Sequence, residues 1–354
     1  MNGPSAPPSN GSLSCEPEPQ HISITVFLCL LFLGGFLLNS FSLWVFCLRM
    51  PRWGPGTTLQ FHLALSDAIV TPTAPLMAAY LALGSHWPFG RFLCQLKIAL
   101  LSTHFYGSIL FLTLISVHRY VSVVQYSKAS PMKRVGFIHK LCAAVWLLLL
   151  LKGAACFSLL GTSQVGNHTQ CLSIHQGEYI QVYFSINFSL LVPAFLVPFS
   201  VSVACYCRLA SSVSRINAST ANGRAIKAKS RKMVAVCLLI FAVCFMPLNI
   251  VRSVGVVVRK YYPEQCRLLL RVETAYYVSW ILASANSCFD PLLYCFGSQD
   301  FTRAFRRSLR KIGLRFEDGP SRNGLDSVDS VGLTTKTTQS STVLDRETAS
   351  TSSL

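Results

Sequence analysis

Residues 286–294, NSCFDPLLY, place an aspartate, Asp290, directly before a proline, Pro291, inside an apolar run. In water such a pair suggests a turn. In lipid every backbone polar group needs an internal partner, and the same pair marks a kinked spanning helix that carries a costly polar side chain. Composition fixes the solvent. Of 354 residues 51% are hydrophobic and 13% charged, with a mean hydropathy of +0.45, so too little charge is available to coat a soluble protein. Windows of about 19 residues isolate seven apolar blocks, approximately 22–48, 57–83, 92–124, 138–160, 180–210, 232–258 and 271–296. Each is long enough to cross a hydrocarbon core of about 30 Å as a helix. The predicted fold is an all-α membrane protein, a seven-helix bundle over residues 22–300. A soluble helical protein is excluded, because seven such segments would leave no polar helix faces to cover them.

Basic residues orient the bundle. Arg49 and Arg52, Lys133 and Arg134, Arg224 to Lys232, and Arg303 to Arg315 fall after spans one, three, five and seven. The opposite loops are poorer, which predicts an outer N-terminus and a cytoplasmic C-terminus. The net charge of +17 is thus mostly a topology signal, and nucleic acid is not an expected partner. Sequons at Asn10 and Asn167 fall on the predicted outer side, whereas Asn187-Phe188-Ser189 lies within span five, where no glycan is expected. Residues 1–21 are polar and Pro/Ser-rich, and a cleaved leader is not expected. Of fourteen cysteines, Cys15, Cys94, Cys171 and Cys266 lie outside the membrane, and four allow three pairings. Phe301, Phe305, Leu309 and Ile312 recur at helical spacing among basic residues, predicting an amphipathic surface helix over 301–315 on anionic membrane lipids. The tail, 316–354, is polar and Ser/Thr-rich and is expected to be disordered.

Ionisable groups inside spans cost about 2.5–3.5 kcal/mol each. Asp67 and Asp290, with Ser108 and Asn286 at similar depth, would form either a pocket for a small cation or proton or a neutral hydrogen-bonded helix contact. Pro72, Pro75, Pro193, Pro198, Pro247 and Pro291 supply hinges. Arg119, in SVHRYVSVV, either snorkels to the interface or exchanges partners between two bundle states.

Together these features resemble the rhodopsin-like (class A) G-protein-coupled receptors over residues 22 to about 312. The matching elements are Asn39, Leu63 to Asp67, WPFG at 87–90 with Cys94, Trp146, Pro198 with Tyr206, Pro247, and DPLLY for NPxxY. The variants SVHR, FxxCFxP and ASANSCxDPxLYxF are similar to the branch of purinergic, leukotriene, lysophospholipid and carboxylate receptors. The resemblance implies an allosteric sodium pocket at Asp67, Ser108, Asn286 and Asp290, and switch residues at His118, Arg119, Tyr206, Phe245, Pro247, Pro291 and Tyr294. It also implies disulfides Cys94–Cys171 and Cys15–Cys266, a heterotrimeric G-protein partner, and receptor kinases with arrestin at the tail, where Ser340, Ser341 and Thr342 cluster. Three positions depart from the family: His118 replaces the acid before Arg119, Asp290 begins NPxxY, and Phe245 replaces the toggle tryptophan.

The predicted ligand cavity lies at the outer ends of the spans, with candidate contacts Lys97, Phe105, Lys152, Asn249, Arg252, Tyr277 and Trp280, and with His104 nearby. Excess cations there favour an anionic small molecule; snorkelling is the alternative for Lys97. Arg252 matches the span-six arginine of the nucleotide receptors, but Asn249, Trp280 and Ile98 stand where that group carries other contacts. A lipid-like or carboxylate ligand is therefore expected, with a nucleotide or ligand-independent signalling as alternatives. No phosphate loop, metal-ligand spacing or paired nucleophile suggests an enzyme, no repeat suggests a transporter, and span seven lacks the lysine an opsin needs.

Overall fold

The computed structural model describes residues 15, 20–124, 130–215, 232–233 and 236–311. Span one is α1 (Ile22–Arg49). Span two is split into α2 (Pro55–Ala68) and α3 (Thr73–Ala82), and span three is α4 (Gly90–Val123). Span four is α5 (Val135–Leu159), followed by a hairpin of β1 (Thr162–Val165) and β2 (His168–Cys171). Span five runs through α6 (Ile180–Leu191), a π-helical turn (Val192–Leu196) and α7 (Val197–Arg215). Span six carries a second π-helical turn (Ile240–Phe245) and α8 (Met246–Tyr261). Span seven is α9 (Cys266–Ser284) and α10 (Asn286–Gly297), and α11 (Gln299–Lys311) follows.

Among the described residues, five helices are long and apolar enough to cross a membrane without a break; spans two and seven are the interrupted ones. Span three is the axis, with 72% of its apolar stretch buried against 22–39% in the other four. The outer surface is apolar: Leu147, Leu148, Leu150 and Leu151 are 58–66% exposed, as a lipid-facing helix requires.

Pro72 directly precedes α3 and Pro193 lies in the first π-helical turn, whereas span seven breaks at Ala285, six residues before Pro291. Asp290 and Pro291 form no turn; both lie inside α10. Pro291 has no N–H to give the carbonyl four residues back, that of Ser287, and Asn39 Nδ2 donates to it instead at 2.8 Å. Pro247 stands two residues beyond the second π-helical turn, where Asn249 Nδ2 donates to the Phe245 carbonyl at 2.9 Å. The surface helix packs more tightly than its amphipathic pattern suggests. Phe301 is fully buried, 4.6 Å from Phe46, and Phe305 lies 5.0 Å from Phe41, so part of the apolar face seats on α1 rather than on lipid. Residues 312–315 and the tail, with Ser340, Ser341 and Thr342, lie outside the described residues, as does Asn10.

Candidate functional site

A cavity of about 150 Å³ opens between spans three to seven. Phe105, Lys152, Arg252, Tyr277 and Trp280 line it, amid mostly apolar neighbours. Its roof is the segment after β2: Leu172, Ser173 and Ile174 line the cavity. Gln176 pins this segment, accepting from Ser173 N–H at 2.9 Å and donating to the carbonyls of Gly161 and Gln170. Arg252 spreads its guanidinium over neutral partners. Nε donates to Asn187 Oδ1 at 2.8 Å, and Nη2 to Tyr106 Oη and Asn249 Oδ1 at 2.9 Å. The Lys152 ammonium lies 4.3 Å from the Tyr106 ring and 3.8 Å from Cys156 Sγ. Neither cation has a carboxylate within ion-pair distance among the described residues. Glu273, the acid lining the cavity, is already held by His175 Nε2 at 2.9 Å. The wall thus carries two cations without an acidic partner among the described residues, in an otherwise mostly apolar surround.

Three expected cavity residues lie elsewhere. Lys97 is buried away from the cavity: its ammonium is 4.9 Å from the Tyr80 ring and 4.5 Å from Trp87, and it donates to the Cys171 carbonyl at 3.2 Å. It neither snorkels nor lines the ligand space. Asn249 stands behind Arg252 and orients it. His104 faces span two, with Nδ1 3.3 Å from Asp67 Oδ1, an ion-pair distance whose angle is too poor for a hydrogen bond.

Below the cavity the structure brings Asp67, Ser108, Asn286 and Asp290 together. Ser108 Oγ donates to Asp67 Oδ1 at 3.0 Å, Asn286 Nδ2 to Asp290 Oδ2 at 3.4 Å, and the two carboxyl groups face one another. Asp67 Oδ2, Asn286 Oδ1 and Asp290 Oδ1 are buried without a hydrogen-bond partner among the described residues. Three spare oxygens, two of them from carboxyl groups, are donors of the kind a hard cation takes.

At the cytoplasmic end Arg119 Nη2 donates to the Gly297 carbonyl. Beside it Gln60 Nε2 donates to the Leu293 carbonyl at 3.1 Å, so spans two and three both grip the end of span seven. A side chain at Gly297 would meet the Gln60 amide and the Arg119 guanidinium and force both to shift from the end of span seven. His118 is buried, its Nε2 3.5 Å from Ser122 Oγ, and makes no restraint on Arg119. Ser116 Oγ donates to the fully buried Tyr206 hydroxyl at 2.6 Å, and Tyr294 Oη to Asn39 Oδ1 at 3.3 Å. Phe245 is fully buried beside Phe241, one residue before α8 and two before Pro247.

Of the three pairings open to the outer cysteines, the structure forms Cys94–Cys171 and Cys15–Cys266. Asn167 is exposed in the hairpin turn, open to a glycan, and Asn187 is buried, closed to one. Sequence reasoning missed Asn187 as the partner of Arg252; a polar side chain inside an apolar span was the available signal. The His175–Glu273 pair had none, because loop geometry decides it.

The seven-transmembrane receptor (rhodopsin family) model matches residues 14–294. The chain is 34% identical over 308 residues to purinoceptor 2 of Homo sapiens, covering 83% of this chain and 81% of the relative. It is 32% identical over 308 residues to purinoceptor 4 of Mus musculus, covering 87% and 85%. Against purinoceptor 1 of Gallus gallus it is 33% identical over 301 residues, covering 83% and 81%.

Proposed function

The chain belongs to the rhodopsin family of seven-transmembrane receptors, and on that footing we propose that its outer cavity recognises an amphipathic anion, a single carboxylate or phosphate head on an apolar body. As a family member it is a multi-pass receptor of the plasma membrane that signals through G proteins, and not an enzyme. The observation that carries the ligand reading is the pair Lys152 and Arg252, two cations without acidic partners in an otherwise apolar wall. In our reading the N-terminus is outside, since both disulfides and the exposed sequon at Asn167 lie at the end opposite the basic loops. The tail would recruit receptor kinases and arrestin.

Similarity to the purinoceptors supports a second reading, a nucleotide ligand held by Arg252. A nucleoside di- or triphosphate carries three or four charges, more than two cavity cations offset, and Ile98, Asn249 and Trp280 add none. G-protein activation measured across nucleotides, long-chain carboxylates and lysophospholipids separates the readings. A response to amphipathic anions that Lys152→Ala weakens supports the first; a response confined to nucleotides overturns it.

In the proposed switch, ligand binding at the outer end loosens the cytoplasmic end, and Arg119 leaves Gly297 to receive the G protein. With no acid at position 118, the hydrogen bond that Arg119 makes among the described residues is to the Gly297 carbonyl. His118→Asp would supply a carboxylate beside it and is expected to lower basal G-protein activation several-fold, about 1 kcal/mol of switch equilibrium. Basal assays at matched surface expression, with Arg119→Ala as the inactive reference, check this; an unchanged or raised basal signal would count against it.

Asp67, Ser108, Asn286 and Asp290 would hold a sodium ion, whose charge offsets the facing carboxylates. Replacing sodium by choline is then expected to raise agonist affinity about fivefold or more, within the usual range of allosteric coupling. Asp290→Asn should shrink that shift, because the amide keeps an oxygen but loses the charge. An identical sodium response in Asp67→Asn and wild type would remove the ion from this site.

A further inference from the structure

A second cavity, of about 530 Å³, lies at the cytoplasmic end between the loop after α1 and the surface helix α11. Five cations line it: Arg49 and Arg52 on the loop side, and Arg303, Arg307 and Lys311 on the helix side. Asp300 is the acid facing them, and it is 4.0 Å from Arg303. Positions 303, 307 and 311 are successive i, i+4 neighbours, one stripe of α11 turned toward the loop, while Arg306 lies off it. The walls are well anchored. Met50 and Ser308 are buried at the cavity's inner side, and Phe301 and Phe305 seat α11 on α1.

Five cations against the Asp300 carboxylate leave a clear excess of positive charge on one concavity, which favours a further anion there. Arg49 is the last residue of span one, so the concavity sits where that helix leaves the bilayer, at headgroup level. Basic clusters there bind anionic lipids, each cation contributing about a fivefold gain in affinity. A single phosphodiester carries one charge and leaves most of this set unmatched. We infer that this cavity is a site for a membrane lipid whose headgroup carries two or more phosphomonoesters, gripped between the first cytoplasmic loop and α11. The inference is independent of the ligand at the outer cavity. It also differs from diffuse attraction of α11 to an anionic leaflet, because it requires cations from two elements.

The test uses the full chain in phosphatidylcholine nanodiscs and a fluorescent bis-phosphorylated inositol lipid, with energy transfer to a dye on the receptor. Arg52→Gln with Arg307→Gln removes one cation from each wall, whereas Arg134→Gln with Arg306→Gln removes two cytoplasmic charges outside the cavity. The cavity pair is expected to weaken binding tenfold or more, and the control pair less than threefold. Phosphatidylserine at equal total charge should compete poorly, as should the soluble inositol phosphate headgroup. Equal losses in the two pairs would mean a diffuse surface potential, and effective competition by phosphatidylserine would mean the same; either overturns the site. Competition by the soluble headgroup as strong as by the lipid would overturn the membrane source. Thermal unfolding checks the fold, and the single change Arg52→Gln, about fivefold weaker, serves if the pair is unstable.

Discussion

Arg252→Ala is expected to lower the potency of an amphipathic anionic agonist at least about thirtyfold, and up to about four-thousandfold. The guanidinium bonds Asn187 from span five, Tyr106 from span three and Asn249 from its own helix. Truncation therefore removes the ligand's counter-charge and takes the arginine donor from three side-chain oxygens, those of Asn187, Tyr106 and Asn249. Losing one member of a buried, charged hydrogen-bonded pair costs about 2–5 kcal/mol, and every 1.4 kcal/mol is tenfold. Arg252→Lys should rescue only part of this, because one ammonium cannot reproduce a planar fork that reaches Asn187 through Nε and Tyr106 through Nη2. Lys152→Ala should cost less, about tenfold, since Lys152 rests on a ring and a thiol and strands no carboxylate. Concentration–response curves for G-protein activation, at surface expression matched by an outer epitope, give these shifts. An unchanged midpoint for Arg252→Ala would remove the arginine from ligand recognition and leave its role structural.

Hydropathy made the seven spans legible, because the bilayer imposes one length and one polarity on every crossing. Depth was legible too: Asp67, Ser108, Asn286 and Asp290 do meet. Rotation was harder to read. Lys97 and His104 were placed near the cavity by their depth in span three, yet Ile98, Leu101, Ser102 and Phe105 are the residues that face it. Lys97, His104 and Ser108 follow one another at spacings of seven and four, which puts them on a single stripe of a 3.6-residue helix. Ser108 shares its depth with Asp67, so the same stripe points His104 and Lys97 toward span two. That signal was in the sequence and was overlooked. The seat of Arg119 on the Gly297 carbonyl was not available in the same way, because it joins backbone to side chain 178 residues apart. Periodicity within one helix cannot reveal it.

Cys94→Ser is expected to cost more ligand response than Cys15→Ser, although loop-closure entropy ranks the two bonds the other way. Closing 77 residues is worth about 4–5 kcal/mol in that model, and closing 251 residues about 5–6 kcal/mol. The model assumes a free unfolded chain, whereas spans already held in a bilayer have lost most of that freedom, so local structure should decide. Cys15–Cys266 ties the N-terminal segment to the first residue of α9, in a small cluster with Val258 and Leu269. Cys94–Cys171 joins span three to the end of β2, directly before the roof residues Leu172, Ser173 and Ile174. The Cys171 carbonyl also receives the Lys97 ammonium, and Trp87 N–H donates to the Thr169 carbonyl at 2.7 Å. Breaking this bridge frees the roof, and with it the Cys171 carbonyl that accepts from the buried Lys97 ammonium. Surface expression and agonist affinity measured together should show Cys94→Ser and Cys171→Ser losing at least tenfold in both. Cys15→Ser and Cys266→Ser should fall mainly in expression, with affinity within about threefold. If all four variants lost affinity equally, the N-terminal bridge would also be shaping the cavity, and the roof alone would not account for the ligand site.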